Sequence, residues 1–128
     1  MKMIGYVTLG SNDVAKAAAY YDQLLAEIGA SRMMESDRFI AWGTSPGAPM
    51  LIIITPFDEQ PATVGNGVMV SFYMDTTDKV DALYKKAMEL GSPDEGAPGP
   101  RGDGSFYGGY FRDVDGNKLC AFHITQGK

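Results

Sequence analysis

Residues 4–29 read IGYVTLGSNDVAKAAAYYDQLLAEIG, and residues 68–91 read VMVSFYMDTTDKVDALYKKAMELG. Both run from a short β-rich segment through a polar cluster into an apolar stripe and a closing glycine. In the first, Ile4, Tyr6 and Thr8 alternate with Gly5, Val7 and Leu9. Both sets are largely apolar, which suits a strand covered on both faces. Ser11, Asn12 and Asp13 supply a helix N-cap. Val14, Ala17, Ala18, Tyr21, Leu24, Leu25 and Ile28 then fall on one helix face, and Gly29 sits where a C-cap glycine belongs. In the second, Val80, Leu83, Tyr84, Ala87 and Leu90 form the stripe and Gly91 stops it. Tyr6 and Met69, Lys16 and Lys79, and Tyr21 and Tyr84 are each 63 positions apart, and Gly29 and Gly91 are 62 apart. The chain reads as a duplication.

Working outward, SRMMES and RFIAWGT read as strands joined by a turn at Ser36 and Asp37. PGAP breaks the chain, and MLIIIT is a further strand. PFDEQPATVGNG, rich in Pro, Gly and polar residues, reads as a linker. In the second half, SPDEGAPGPRGDG reads as a long loop holding at most one short strand. SFYGGYFRD is a strand whose Gly-Gly pair marks a bulge or a close backbone approach. Asp115-Gly116 is the strongest short turn signal, and KLCAFHIT is the last strand. Each half thus reads βαβββ. A half of about 60 residues is marginal as an independent fold, so the halves are expected to pack together.

Composition bounds the function. The 128 residues are 45% hydrophobic and 21% charged, as in a folded domain. With 11 Lys+Arg against 16 Asp+Glu, the formal net charge is −5, which disfavours nucleic acid and anionic membrane as partners. No apolar run approaches the ~20 residues of a membrane span. The opening MKMIGYVTLGSND has no long apolar core and no cleavage-like site, so no signal peptide is expected. Cys120 is the single cysteine and His123 the single histidine. One cysteine allows no intrachain disulfide and fits a reducing, cytoplasmic setting. One histidine excludes a two-histidine metal site within one chain. Asp113, Asp115 and Gly116 look like half a calcium loop, but the remaining ligands are missing, so a tight turn is expected. Arg101-Gly102-Asp103 reads as a chance adhesion tripeptide. The glycines at 96, 99, 102 and 104 lack the strand–turn–helix context of a phosphate cradle.

The pattern, carried by IGYVTLGSNDVAKAAAYYDQLL and GGYFRDVDGNKLCAF, resembles the vicinal oxygen chelate superfamily. That group includes glyoxalase I, bleomycin-resistance proteins, fosfomycin-resistance enzymes and extradiol dioxygenases. The resemblance implies one α+β domain over 1–128. Two βαβββ modules, 3–55 and 67–125, joined by a linker at 56–66, would form a curved mixed sheet around a cleft. It also implies a homodimer, which the apolar content of the modules favours.

In the superfamily, four cavity-facing strand positions supply a divalent metal's ligands. Carried over, they fall on Tyr6, near Ile52, on Met69 and on Cys120. None is His or a carboxylate, Ile cannot ligate, and Met is a soft donor unsuited to hard divalent ions. The usual metal site is therefore not expected, and no cofactor is implied. His123, three residues after Cys120, falls on the opposite strand face. It reads as a surface or dimer-contact residue. Cys120 reads as a buried inert thiol, and Tyr6 packs, orients a ligand oxygen or serves as an acid.

Alternation from these four positions places Thr8, Ile54, Ser71, Tyr73 and Phe122 on the same faces. Trp42, Met50, Phe106, Tyr107 and Tyr110 complete the rim or wall. Such a lining suits a flat or apolar small molecule. The expected function is a metal-independent small-molecule binder of the bleomycin-resistance type. Tyr6, Ser71 and one of Arg101 or Arg112 would orient the ligand. Two other readings stand beside it: a divalent-metal-dependent lyase, isomerase or dioxygenase using a non-standard ligand set, and an interaction protein whose cleft is filled. Whether the chain is an enzyme stays open between them.

Overall fold

Two helices begin in the same way, 63 residues apart. Asp13 caps α1 (Val14–Ala26) by accepting from the Lys16 backbone N–H at 3.0 Å. Thr76 caps α2 (Thr77–Glu89) by accepting from the Lys79 N–H at 3.2 Å. Each satisfies a donor that the first turn leaves orphaned. Gly29 and Gly91 follow the helices in the left-handed region, at φ 76° and 92°. The computed structural model describes residues 2–125.

Around α1 the strands are β1 (Tyr6–Gly10), β2 (Ser31–Glu35), β3 (Phe39–Gly43) and β4 (Met50–Ile54). Around α2 they are β5 (Val70–Tyr73), β6 (Asp94–Arg101), β7 (Phe106–Arg112) and β8 (Lys118–Ile124). The first sheet has the order β1-β4-β3-β2 and the second β5-β8-β7-β6, the same order twice. In each, the first and last strands of the module pair parallel and the other neighbours antiparallel. The chain divides into two compact units, Met1–Val64 and Gly65–Lys128. This is the α+β arrangement of two βαβββ modules expected from the repeat.

Within each unit the helix covers one sheet face. In the N-terminal unit, α1 buries Ala17, Ala18, Tyr21, Leu24 and Leu25, and the strands answer with Leu9, Ile40, Trp42, Leu51 and Ile53. Tyr21 and Trp42 rings lie 5.5 Å apart. Asp22 ties the helix to the sheet: its carboxylate accepts from Trp42 Nε1 at 3.0 Å and from both Nε and Nη2 of Arg32. In the C-terminal unit, α2 buries Val80, Leu83 and Ala87, and Phe111, Leu119 and Ala121 are buried in the strands. Tyr84 packs edge-on to Phe111 and donates to Asp94 at 2.8 Å.

One segment differs from its sequence reading. Residues 94–101, expected as a loop holding at most one short strand, form an eight-residue strand. It is the sheet edge, and its register shifts around Gly96 and Gly99. An edge strand tolerates bulges and the prolines at 98 and 100, so weak strand composition hid its full length. The linker is also held in place. Asn12 clasps Ala62 through Oδ1 and Nδ2, and Arg38 Nη2 donates to the carbonyls of Thr55 and Pro56. Among the described residues no helix is long and apolar enough to cross a membrane.

The Arg-Asp-x-Asp-Gly-Asn stretch is a tight turn organised around Asp113. The buried Asp113 carboxylate accepts from the backbone N–H groups of Asp115 and Asn117 and from Asn117 Nδ2, all within 3.0 Å. Gly116 takes φ 90°, and Arg112 donates to its carbonyl. Asp113→Ala should cost about 2–3 kcal/mol, because buried donors lose a charged acceptor. Urea unfolding of the variant checks this.

Asp22 gives a pH signature. The hydrogen bond from Arg32 holds its carboxyl below the usual range, with help from Trp42, while burial opposes. A lowered folded pKa stabilises above the unfolded value and is lost as pH falls through the folded one. Asp22→Asn should therefore be less stable than the parent at pH 7, and the gap should close as pH falls through the lowered folded pKa. Chemical denaturation across a series of acid pH values tests it.

Candidate functional site

Strand alternation leaves each sheet one face that its own helix does not touch. In the N-terminal unit that face carries Tyr6 and Thr8 from β1, Phe39 and Ala41 from β3, and Met50, Ile52 and Ile54 from β4. The pairings Tyr6 with Met50, Thr8 with Ile52 and Ala41 with Ile52 place them side by side. Tyr6 is 60% exposed and Thr8 is exposed, while Ile52 is buried. The Tyr6 hydroxyl makes no hydrogen bond among the described residues.

A pocket of about 470 Å³ opens beside Tyr6. Its wall includes Gly5, Tyr6, Met33, Met50 and the turn at residues 45–48. Gly43 packs behind two of its side chains. A Cβ there would meet Met33 Cγ and Met50 Cγ, each at 3.4 Å. The β2 register shift between Arg32 and Met34 brings Met33 to this position. The sequence carried no sign of it, since a bulge breaks the alternation from which faces are read. A second, polar hollow of about 440 Å³ lies where α1 begins. Its groups hold the linker: Asn12 binds Ala62 and Arg38 pairs with Glu59.

Trp42 must be moved from the proposed wall. It is 1% exposed, on the helix-covered face, against Tyr21 and Asp22. The indole needed an apolar bed and an acceptor for its N–H, and α1 offers both. Tyr107 likewise faces α2 and donates its hydroxyl to Asp81 at 2.7 Å. The bond to that carboxylate holds its phenol above the usual range.

In the C-terminal unit the uncovered face carries Ser71 and Tyr73 from β5, Phe106, Gly108 and Tyr110 from β7, and Lys118, Cys120 and Phe122 from β8. Pairings bring Ser71 beside Cys120, Cys120 beside Tyr110, and Phe122 beside both Tyr73 and Gly108. Met69, just before β5, is 41% exposed. Phe106 and Phe122 stack with centroids 5.3 Å apart and planes at 5°, and Tyr73 meets Phe122 edge-on. The glycine pair explains this packing. A Cβ on Gly108 would come within 2.6 Å of the Phe106 ring, and one on Gly109 within 3.0 Å of Pro98. The close-approach reading of Gly-Gly holds.

His123 and Cys120 lie on opposite faces, as alternation requires. His123 Nδ1 donates to the Met74 carbonyl at 2.8 Å, so the ring serves the packing of its own unit. Cys120 is fully buried. Burial pushes its thiol up, while Ser71, Arg101, Lys118 and Tyr110 pull weakly the other way. The superfamily's metal does not fit the four carried-over positions: an exposed phenol, an alkyl chain, a thioether and a buried protonated thiol. Among the described residues there is no group of three or more His, Cys, Asp or Glu placed to hold a metal ion.

Comparison with known proteins gives the family. Residues 3–121 match the model of the Glyoxalase/Bleomycin resistance protein/Dioxygenase superfamily. A glyoxalase/bleomycin resistance protein from Albidiferax ferrireducens T118 is 35% identical, with TM-score 0.86, over 95% of this chain and 98% of that one. A lactoylglutathione lyase from Agrobacterium tumefaciens shares the fold at 22% identity and TM-score 0.71, over 96% and 94% of the two chains. So does a family enzyme from Burkholderia phytofirmans PsJN at 18% identity and TM-score 0.74, over 94% and 97%. No curated protein matches this chain.

A buried thiol with a raised pKa should be unreactive. Folded protein at pH 7.5 is expected to label with a thiol-disulfide reagent far more slowly than protein unfolded in guanidinium, with one thiol appearing on unfolding.

Proposed function

The chain belongs to the Glyoxalase/Bleomycin resistance protein/Dioxygenase superfamily, and from that premise we propose that it binds a small apolar or aromatic molecule. In this reading the positions that hold a divalent metal elsewhere in the family have passed to residues that do not. The observation that carries it is the pocket of about 470 Å³ beside Tyr6, lined by methionines and an exposed phenol. Pockets of this size take small ligands, and thioether side chains adapt to irregular shapes. The aromatic face of the C-terminal unit supports the same reading.

The mechanism is sequestration. Apolar walls remove the ligand's surface from water, at roughly 25 cal/mol per Å² buried. The Tyr6 hydroxyl gives direction by pairing with a ligand oxygen, and Thr8 adds a further hydroxyl on the same face. The protein works as a cytoplasmic homodimer and uses no nucleic-acid or membrane partner. The net charge of −5 and the lone cysteine support that setting.

A thermal-shift screen tests the reading. A ligand held at 100 times its Kd adds about 2.7 kcal/mol to stability and raises Tm. Tyr6→Ala and Met50→Glu should each reduce that rise while circular dichroism stays unchanged. A broad panel of apolar and aromatic compounds that leaves Tm unmoved overturns it. So does near-stoichiometric divalent metal in purified, tag-free protein, which would restore metal-dependent lyase or dioxygenase chemistry.

A further inference from the structure

The uncovered face of the C-terminal unit carries charge as well as rings. Arg101 lies over the Tyr110 ring with Cζ 5.4 Å from the centroid, and Lys118 Nζ is 5.5 Å from the same centroid. Among the described residues neither cation forms an ion pair. Arg112, on the same face, contrasts with them: it meets Glu95 at 3.5 Å and the Gly116 carbonyl at 3.0 Å. Arg101 is held by neutral carbonyls, donating to Ala97 at 2.8 Å and Gly99 at 3.0 Å. These bonds fix the guanidinium without cancelling its charge.

Two uncompensated cations on one ring are unexpected in a chain of net charge −5. Their field favours an anion at this spot against the background of the whole molecule. Beside it lies the apolar half of the face. Tyr110 pairs with Cys120, and one step of the same face along the strands Gly108 pairs with Phe122. Two residues of strand span about 6.6 Å. A bicyclic ring laid against Phe106, Phe122 and Tyr73 therefore brings a carboxylate on its end to the two cations.

We propose that this face binds a planar aromatic anion, its ring against Phe106 and Phe122 and its carboxylate at Arg101 and Lys118. The proposal rests on the small-molecule reading above, extends it to the face of the C-terminal unit, and names a ligand class for that face. Removal of the carboxylate from water favours the pairing, because a charge-assisted hydrogen bond to guanidinium is stronger than a neutral one.

Isothermal titration of the full chain with 2-naphthoate and its neutral analogue 2-naphthamide tests it. Naphthoate is expected to bind about tenfold more tightly, a difference of about 1.4 kcal/mol, with the preference shrinking as salt rises. Arg101→Gln and Lys118→Gln should each lower that preference, and the double variant should abolish it. Arg101→Lys and Lys118→Arg should keep most of it. Phe122→Leu should weaken both probes. Equal affinity for the two probes, with Phe122→Leu weakening both, overturns the anionic class and leaves the small-molecule site standing. No binding of either probe, or binding that Phe122→Leu does not change, overturns the site on this face as well.

Discussion

Each unit has four strands and one helix, and a single helix can cover one face of a sheet. That constraint governs everything else in the structure. Side chains alternate across a strand, so every second residue goes under the helix and the rest go to the other face. Under α1 the result is a closed core of Tyr21, Leu24, Trp42 and Ile53. On the other side it is an exposed Tyr6 beside Met50. Under α2 the core is Val80, Leu83, Phe111 and Leu119, and the opposite face holds stacked phenylalanines and a tyrosine flanked by two cations.

The chemistry of the uncovered faces follows from which residues occupy them. A metal site needs hard, ionised donors at converging positions. The residues that the family resemblance assigns to those positions are a phenol, an alkyl chain, a thioether and a thiol that burial keeps protonated. What remains is shape, aromatic surface and a local positive field. These are the features on which the proposed binding function rests.

Turn chemistry fixes the frame around the faces. Asp113 spends its carboxylate on the N–H groups of its own loop, which joins β7 to β8 in register. Asp22 does the corresponding work in the N-terminal unit by holding Arg32 and Trp42 to α1. Both are acidic side chains whose function could be mistaken for metal binding or catalysis when composition alone is considered. Their hydrogen-bond partners assign them to architecture.

Much of this was legible in the sequence. The 63-residue offset, the capping residues, the closing glycines and the Asp-Gly turn determined two βαβββ modules, because caps and turns act through neighbours a few residues away. Parity along β8 determined that Cys120 and His123 part company. Local pattern did not decide that Trp42 and Tyr107 turn to the helices, since a strand apolar on both faces does not state which face is covered. Nor did it give the full length of β6, whose prolines and glycines are tolerated because it lies at the edge. Met33 reached the pocket through a bulge, and Arg101 and Lys118 met at Tyr110 from different strands. Those placements depend on long-range pairing, so the tertiary structure alone decided them.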